Sequence, residues 1–395
     1  MNNNIFAFSA TETGYNHIRI NKVCEDASDF YDDEKMHICV VADGHGSDNY
    51  PRTEFGSKIA VDAAIKNVIE FVNTAEKSQV INDAENNFER MNQLAKSILC
   101  SWYESVEEDY SKKPFTEKEL EKVSDKYKNR YLSENIEERK VEKAYGCTLI
   151  IYVITDDYSF GMQIGDGKCV LIDENGQFLE PIPWDDDCQL NVTTSICDDD
   201  AIDEFRFYIS DKMPTAVFIG SDGIDDSYAN EEELYALYRS ILKIFIEHGD
   251  EVGKSEIREY LPILTKRGSG DDVSMGLIIN QKRAKSISSV FEMQIEEFKL
   301  TEELQDKKRK KDIVTEKALR LSSRIKKWRD IVEIPSEEQR EEVVQVNDLI
   351  EEERNLSIQI QEIEKKLVNL SENQKNINFV DEADIHESNK QQEEA

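Results

Sequence analysis

Five apolar residues, Ile38 to Ala42, run unbroken into Asp43-Gly44-His45-Gly46. A run so short and so apolar predicts a buried strand, and the abrupt change at its end predicts a tight turn. The strand delivers a carboxylate and an imidazole to one point. Gly44 and Gly46 permit backbone conformations and close approaches there that side-chained residues resist. Four residues of this kind recur by chance. Further acids in the same setting give the pattern its weight. Asp166, Asp222 and Asp271 each lie where an apolar run meets glycine, and the pair Glu25-Asp26 adds another acidic point.

The flanking chain reads as mixed strands and helices. Ile5 to Ser9 is an opening strand. Gly14 to Ala27 joins a strand to the acidic pair, with His17, Arg19 and Lys22 just before it. Glu54 to Val72 carries Phe55, Ile59, Ala63, Val68, Ile69 and Val72 at helical spacing, and a second helix over about 80–106 carries Ile81, Ala84, Phe88, Met91, Ala95, Ile98, Trp102 and Val106. Thr116 with Glu119 forms a capping box. The stretch 107–142 is highly charged and reads as a surface elaboration. Tyr145 to Ile154, Ser159 to Ile164 and Lys168 to Ile172 are strands, the last two joined by Gly165-Asp166-Gly167 as a hairpin turn. Residues 173–214 are irregular and acidic, with Asp185-Asp186-Asp187 and Asp198-Asp199-Asp200. Thr215 to Gly220 is a strand ending in Ser221-Asp222-Gly223, helices follow through 232–260, and Val273 to Ile279 is the last strand.

From about residue 285 the character changes. No glycine follows Gly276, and charges alternate. Val314, Ala318, Leu321, Ile325, Trp328 and Val332 step by four and three, as do Val346, Leu349, Leu356, Ile360, Ile363, Leu367 and Leu370, with Glu353 filling one seam position. Pro335 and Ser336 separate the two runs, and Ser336 with Gln339 restarts the helix. Residues 286–373 are therefore expected to form a coiled-coil hairpin or to pair with a partner or a second copy, and 374–395 to be a disordered polar tail.

The formal net charge is −34, and residues 1–280 hold 28 Lys and Arg against 56 Asp and Glu. Such a field repels nucleic acid and anionic lipid and favours cations and basic partners. Seven cysteines without a C-x-x-C pair, no leader-like start and no apolar stretch of membrane-spanning length lead to the expectation of a cytoplasmic chain with reduced thiols. Neither the cysteines nor the five histidines cluster at zinc-ligand spacing.

Several carboxylates brought together repel one another unless cations neutralise them. Hard oxygen donors point to Mg²⁺ or Mn²⁺. Two such ions bridged by one carboxylate orient a water for in-line attack on phosphorus. The leaving alkoxide then needs a proton, and His45, beside the bridging acid, is the natural donor.

The ordered set E-D-A, V-V-A-D-G-H-G, G-C-T, G-D-G-K, S-D-G-I-D-D and G-D-D-V-S over residues 14–279 resembles the PPM family, the metal-dependent serine/threonine protein phosphatases of type 2C. The opening G-x-x-H-x-x-x-x-K-x-x-E-D-A is similar to its bacterial branch. The resemblance implies an α+β fold, a four-layer α-β-β-α sandwich of two antiparallel sheets, here over residues 1–283 and followed by the helical extension. It implies Asp43 as the acid bridging two metals and the Gly44 carbonyl, Asp222, Asp271 and Glu25 as direct ligands. It implies Asp26 as a ligand acting directly or through water, Asp166 as the acid for a third, weaker ion, and His45 as general acid. The substrate implied is a phosphorylated protein. One departure stands out: Asn21 occupies a position where the family often carries a phosphate-binding arginine, so Arg19, Lys22 and His17 are the candidates to replace it. The alternative is a catalytically weak scaffold that senses phosphoproteins and signals through its coiled coil. A third reading, hydrolysis of a small phosphorylated molecule or nucleotide, shares the site chemistry. The acidic flap, 173–214, is a candidate selector of basic phosphopeptides.

Overall fold

The computed structural model of the chain describes residues 5–74, 80, 84–135, 138–186, 188, 193–331 and 333–393. Among the described residues, ten strands form before Gln281: β1 (Ile5–Glu12), β2 (Ala27–Asp32), β3 (Met36–Ala42), β4 (Leu149–Thr155), β5 (Ser159–Ile164), β6 (Lys168–Ile172), β7 (Phe178–Leu179), β8 (Arg206–Ser210), β9 (Ala216–Gly220) and β10 (Val273–Asn280). They make two five-stranded sheets, ordered β1-β10-β9-β6-β7 and β2-β3-β4-β5-β8, with every pairing antiparallel.

Apart from His37 and Thr155, strands β3 and β4 are apolar because both their faces are covered. Cys39 and Val41 of β3, with Ile150, Tyr152 and Ile154 of β4, meet Ala7, Cys169, Leu171, Val217, Ile219 and Ile278 of the other sheet. The alternate residues, Ile38, Val40 and Ala42 of β3 and Leu149, Ile151 and Val153 of β4, pack with residues of the helices Thr53–Thr74 and Ala84–Lys112. On the outer face of the first sheet lie the helices Glu231–His248 and Asp250–Arg267. There Phe6 meets Phe245 at 5.2 Å and Phe218 stacks on Tyr238 at 4.2 Å. The result is the four-layer α-β-β-α sandwich with a helical extension.

Four local expectations are corrected. Residues 15–20 form a short helix, Tyr15–Ile20, and not a strand, and Asn21 caps it in the left-handed conformation at φ 54°. Asparagine is among the few side-chained residues that tolerate this region. Gly165-Asp166-Gly167 is not a hairpin turn. β5 and β6 belong to different sheets, and the three residues carry the chain across from one to the other. The segment 173–214 contains β7, β8 and a helical turn, Ala201–Glu204. The charged stretch 107–142 is more than surface, since Val123, Tyr131 and Val141 lie in the core with Trp102. Its buried apolar residues are too widely and irregularly spaced to stand out among the charges. Ile81, Asp187 and Val332 lie outside the described residues.

Residues 289–395 form a second compact unit. Two helices, Ser288–Arg329 and Glu337–Glu393, run antiparallel within it. Val314, Ala318 and Ile325 are buried on the first, Val346, Ile360 and Ile363 on the second. Lys308 pairs with Glu364 at 2.9 Å, Lys311 with Glu353 at 4.0 Å, and Arg324 with Glu342. Trp328 Nε1 donates to Glu342 at 3.1 Å. Ser336 and Gln339 exchange the capping hydrogen bonds at 2.9 and 3.3 Å. The second helix continues through most of the stretch expected to be a disordered tail, which contains no glycine or proline to interrupt it. Among the described residues no helix is long and apolar enough to cross a membrane.

Candidate metal centre

Strand register gathers the acids. Ala27 pairs with Ala42, so Asp26 and Asp43 leave the same end of the β2–β3 ladder. Gly220 pairs with both Lys168 and Met275, which brings the corner holding Asp166, the Ser221-Asp222 turn and Asp271-Asp272 to one end of the other sheet. Asp43 is locked to the neighbouring chain: its amide donates to Thr148 Oγ1 at 3.1 Å and its carbonyl accepts from Thr148 N at 2.7 Å. Gly44 cannot be anything larger there, because an added Cβ would lie 2.4 Å from Thr53 Oγ1 and 2.5 Å from the Glu25 carbonyl.

A cavity of about 630 Å³ opens at this edge, and Glu25, Asp43, Gly44, His45, Asp166, Asp222 and Asp271 all line it. Asp26 lies beneath, 3% exposed. Every predicted metal-binding position is thus at or directly under one cavity. Burial, followed by repulsion from Asp26 and Asp222, pushes the Asp43 carboxyl well above its ordinary pKa. Burial and Asp272 push Asp26 up to about 8. Burial, with Asp166 and Asp271, raises Asp222 to about 6, against its hydrogen bond with Asp43. Glu25 and Asp166 are raised by burial as well.

Too many carboxylates share this space for the cations beside them. Asp26 Oδ2 is buried with no hydrogen-bond partner among the described residues. An orphaned carboxylate oxygen under a ring of hard oxygen donors is what a Mg²⁺ or Mn²⁺ pair would satisfy, and no thiol lines the cavity to favour a softer ion. The residues present fit such ions. His17, Asp271 and Asp272 also bring ligand atoms within 4.8 Å of one another. Asp272, however, is already committed to hydrogen bonds: it accepts from Gly14 N at 2.6 Å, Glu25 N at 2.6 Å and His17 Nδ1 at 2.9 Å.

The candidate phosphate cations separate. Lys22 Nζ lies 2.6 Å from Glu25 Oε2 and donates to the Gly46 carbonyl at 2.9 Å, so it stands at the rim. His17 lines the cavity, and its hydrogen bond to Asp272 holds its pKa above the ordinary value. Arg19 does not line it. Four residues on from Tyr15 in a helix, its guanidinium lies over that ring, 6.0 Å from the centroid. Burial lowers His45 to about 4, opposed by Asp198.

Sequence reasoning missed Asp272, Asp226 and Tyr50. Asp272 lies within the G-D-D-V-S motif, and a second acid beside the expected ligand Asp271 was the available signal for a clamp. Asp226, likewise within S-D-G-I-D-D, lines the cavity. Tyr50 lies against His45, their rings 4.6 Å apart. Of the flap acids, Asp198 lines the cavity, and Lys143 pairs with it at 3.1 Å. The thiol of Cys24 is pushed up by burial and the nearby acids, which fits packing rather than reactivity.

A family model described as protein phosphatase 2C matches residues 13–261, more than half of the chain. No curated protein matches it by sequence. Among solved structures, the serine/threonine phosphatase Stp1 from Staphylococcus aureus is 17% identical with a TM-score of 0.44, over 69% of this chain and 94% of that one. PppA, described as a key regulatory component of T6SS in Pseudomonas aeruginosa, is 16% identical with a TM-score of 0.41, over 70% and 97%. The catalytic domain of the serine threonine protein phosphatase PstP, solved with two manganese ions, is 12% identical with a TM-score of 0.41, over 70% and 97%.

Proposed function

The chain belongs to the protein phosphatase 2C family, and on that ground we propose that residues 1–283 hydrolyse phosphoserine and phosphothreonine in proteins with two Mg²⁺ or Mn²⁺ ions as cofactors. The observation that carries this reading is the convergence of Glu25, Asp43, Asp166, Asp222 and Asp271 on one cavity, above an Asp26 oxygen that has no hydrogen-bond partner among the described residues. Asp43 would bridge the ions, with the Gly44 carbonyl, Glu25, Asp222 and Asp271 as further direct ligands and Asp26 acting directly or through water. Asp166 would hold a third, weaker ion. When bound, the pair supplies Lewis acidity toward phosphate oxygen and water.

The remaining steps belong to the chain's own groups. Lys22 and His17 hold the incoming phosphate at the rim. His45 delivers the proton that the serine or threonine alkoxide needs on leaving. With its pKa near 4 the imidazole is neutral in the free protein at neutral pH. The negative charge of a bound phosphate shifts that value upward, toward the protonated form that a general acid needs. Asp198 and Asp226 leave the cavity wall acidic, which suits a substrate with basic residues around its phosphate.

The test is a phosphothreonine peptide with metal-stripped protein and Mn²⁺ or Mg²⁺ titrated back. Turnover should appear with metal, vanish with chelator and fall on the order of a hundredfold or more in Asp43→Asn. Tight peptide binding without turnover, in metal-loaded protein, would transfer the reading to the phosphoprotein-sensing scaffold.

A further inference from the structure

His45 makes no ring hydrogen bond among the described residues, so packing alone aims it. One support is Tyr50, its ring centroid 4.6 Å away. The other is the backbone at Gly146, where an added Cβ would lie 2.6 Å from His45 Cδ2. Both supports are held from the helical segment between β3 and β4. Tyr50 meets Tyr127 edge-on at 5.9 Å. The Tyr131 hydroxyl donates to the Asn49 carbonyl at 2.6 Å, and Ser124 N donates to Asn49 Oδ1 at 3.1 Å.

Gly146 accepts from His45 N at 3.2 Å and from Thr53 Oγ1 at 2.8 Å. Its neighbour Tyr145 is fixed by Arg52, whose Nη1 donates to the phenol oxygen at 2.7 Å, while that hydroxyl donates to Asp109 at 2.7 Å. Arg52 is 3% exposed. Its Nε donates to Glu119 at 2.8 Å, its guanidinium lies 4.5 Å from the Phe115 centroid, and its amide donates to the Ala144 carbonyl at 3.0 Å. A buried guanidinium that ties two helices of the segment to the loop after His45 is a strut between them.

We propose that the helical residues Asp109, Glu119, Tyr127 and Tyr131 and the neighbouring Tyr145 form a platform that grips the loop after His45 and aims the imidazole into the cavity, with Tyr131 on the platform and Arg52 on the gripped loop as positioning residues. The proposal rests on the general-acid reading of His45 given above. A misaimed acid harms only substrates whose leaving group needs a proton.

The experiment compares two substrates on full-length, Mn²⁺-loaded protein. A phosphothreonine peptide leaves as an alkoxide and needs the proton. p-Nitrophenyl phosphate leaves as a stable phenolate and does not. Tyr131→Phe removes a single hydroxyl, and Arg52→Met removes the strut. Peptide kcat should fall roughly tenfold in Tyr131→Phe and further in Arg52→Met, part of the 10²–10⁴ a general acid supplies. p-Nitrophenyl phosphate turnover and the Mn²⁺ midpoint should stay within about twofold. Equal loss on both substrates, or loss on neither, overturns the platform. Should Arg52→Met fail to fold, Tyr131→Phe decides alone. A second readout needs no turnover: carbethoxylation of His45 by diethyl pyrocarbonate, followed by peptide mass. Its rate should rise about threefold or more in Tyr131→Phe, and an unchanged rate overturns the proposal. Absence of turnover by the unaltered protein on either substrate counts against the phosphatase reading, while the labelling rate still decides the platform.

Discussion

Asp26 and Asp222 hold their protons unusually tightly, Asp26 to about 8 and Asp222 to about 6, because burial and neighbouring carboxylates penalise the ionised forms. The unfolded chain releases the same protons near 3.9. A carboxyl whose pKa is raised in the fold therefore contributes stability that is fully present below about pH 4 and drains away as pH rises through 6 and then 8. Divalent ions supply the opposite charge and remove that dependence. Chelator-treated protein should lose melting temperature from about pH 5 to about pH 8.5, and the gap between Mn²⁺-saturated and metal-free protein should widen with pH. A gap that stays constant would mean that these acids do not face the ion. At this scale the sequence was informative wherever an acid meets a glycine at a strand end, as at Asp43, Asp166, Asp222 and Asp271. It was silent where a role depends on which neighbour a side chain reaches. Arg19, Lys22 and His17 look alike in one dimension. Only the helix Tyr15–Ile20 turns Arg19 onto Tyr15 while His17 bonds Asp272. That helix also gives Asn21 a conformational reason to be there, its left-handed cap position.

The same contrast holds between elements. β3 to β6, β9 and β10 could be read from their apolar runs, because strands covered on two faces advertise themselves. Their partners could not. Gly165-Asp166-Gly167 has the composition of a hairpin turn, yet β5 and β6 pair into different sheets, a choice made by strands far away in sequence. The corner is demanding. Gly165 lies at φ +102°, and an added Cβ would be 2.5 Å from Thr148 Cβ. Thr148 is the residue that holds Asp43 through two hydrogen bonds. Gly165→Ala should therefore cost about 1–3 kcal/mol from backbone strain alone, with more from the displaced Thr148. Urea unfolding should show a lower midpoint with an unchanged slope, and the Mn²⁺ midpoint for turnover should rise. Full stability with weakened metal binding would separate the corner's geometric role from its structural one. β2 and β8 went unread because partly exposed strands with mixed composition carry no periodic signature.

Across the whole chain, two kinds of order meet. The first unit is stitched end to end: β1 pairs with β10, so residues 5–12 close against 273–280, and all four layers are complete before Gln281. Such a core is expected to close without the residues beyond Ser288. The second unit is local, one helix turning back on another, its apolar seam flanked by ion pairs that at these exposures contribute about 0–1 kcal/mol each. Its pairing therefore depends on Val314, Ala318, Ile325, Val346, Ile360 and Ile363. A chain ended after Ser288 should melt cooperatively and keep metal-dependent p-nitrophenyl phosphate turnover within about twofold. The complementary chain, residues 289–395, should be helical by circular dichroism. The chemistry of the seam is satisfied within one chain, as Arg324, Trp328 and Glu342 already are. Its melting temperature should then be independent of concentration over about a hundredfold, since only association makes stability depend on concentration. A melting temperature that climbs with concentration would mean that the same seam pairs two chains, and would make the hairpin the dimerising element of a phosphatase whose catalytic unit folds alone.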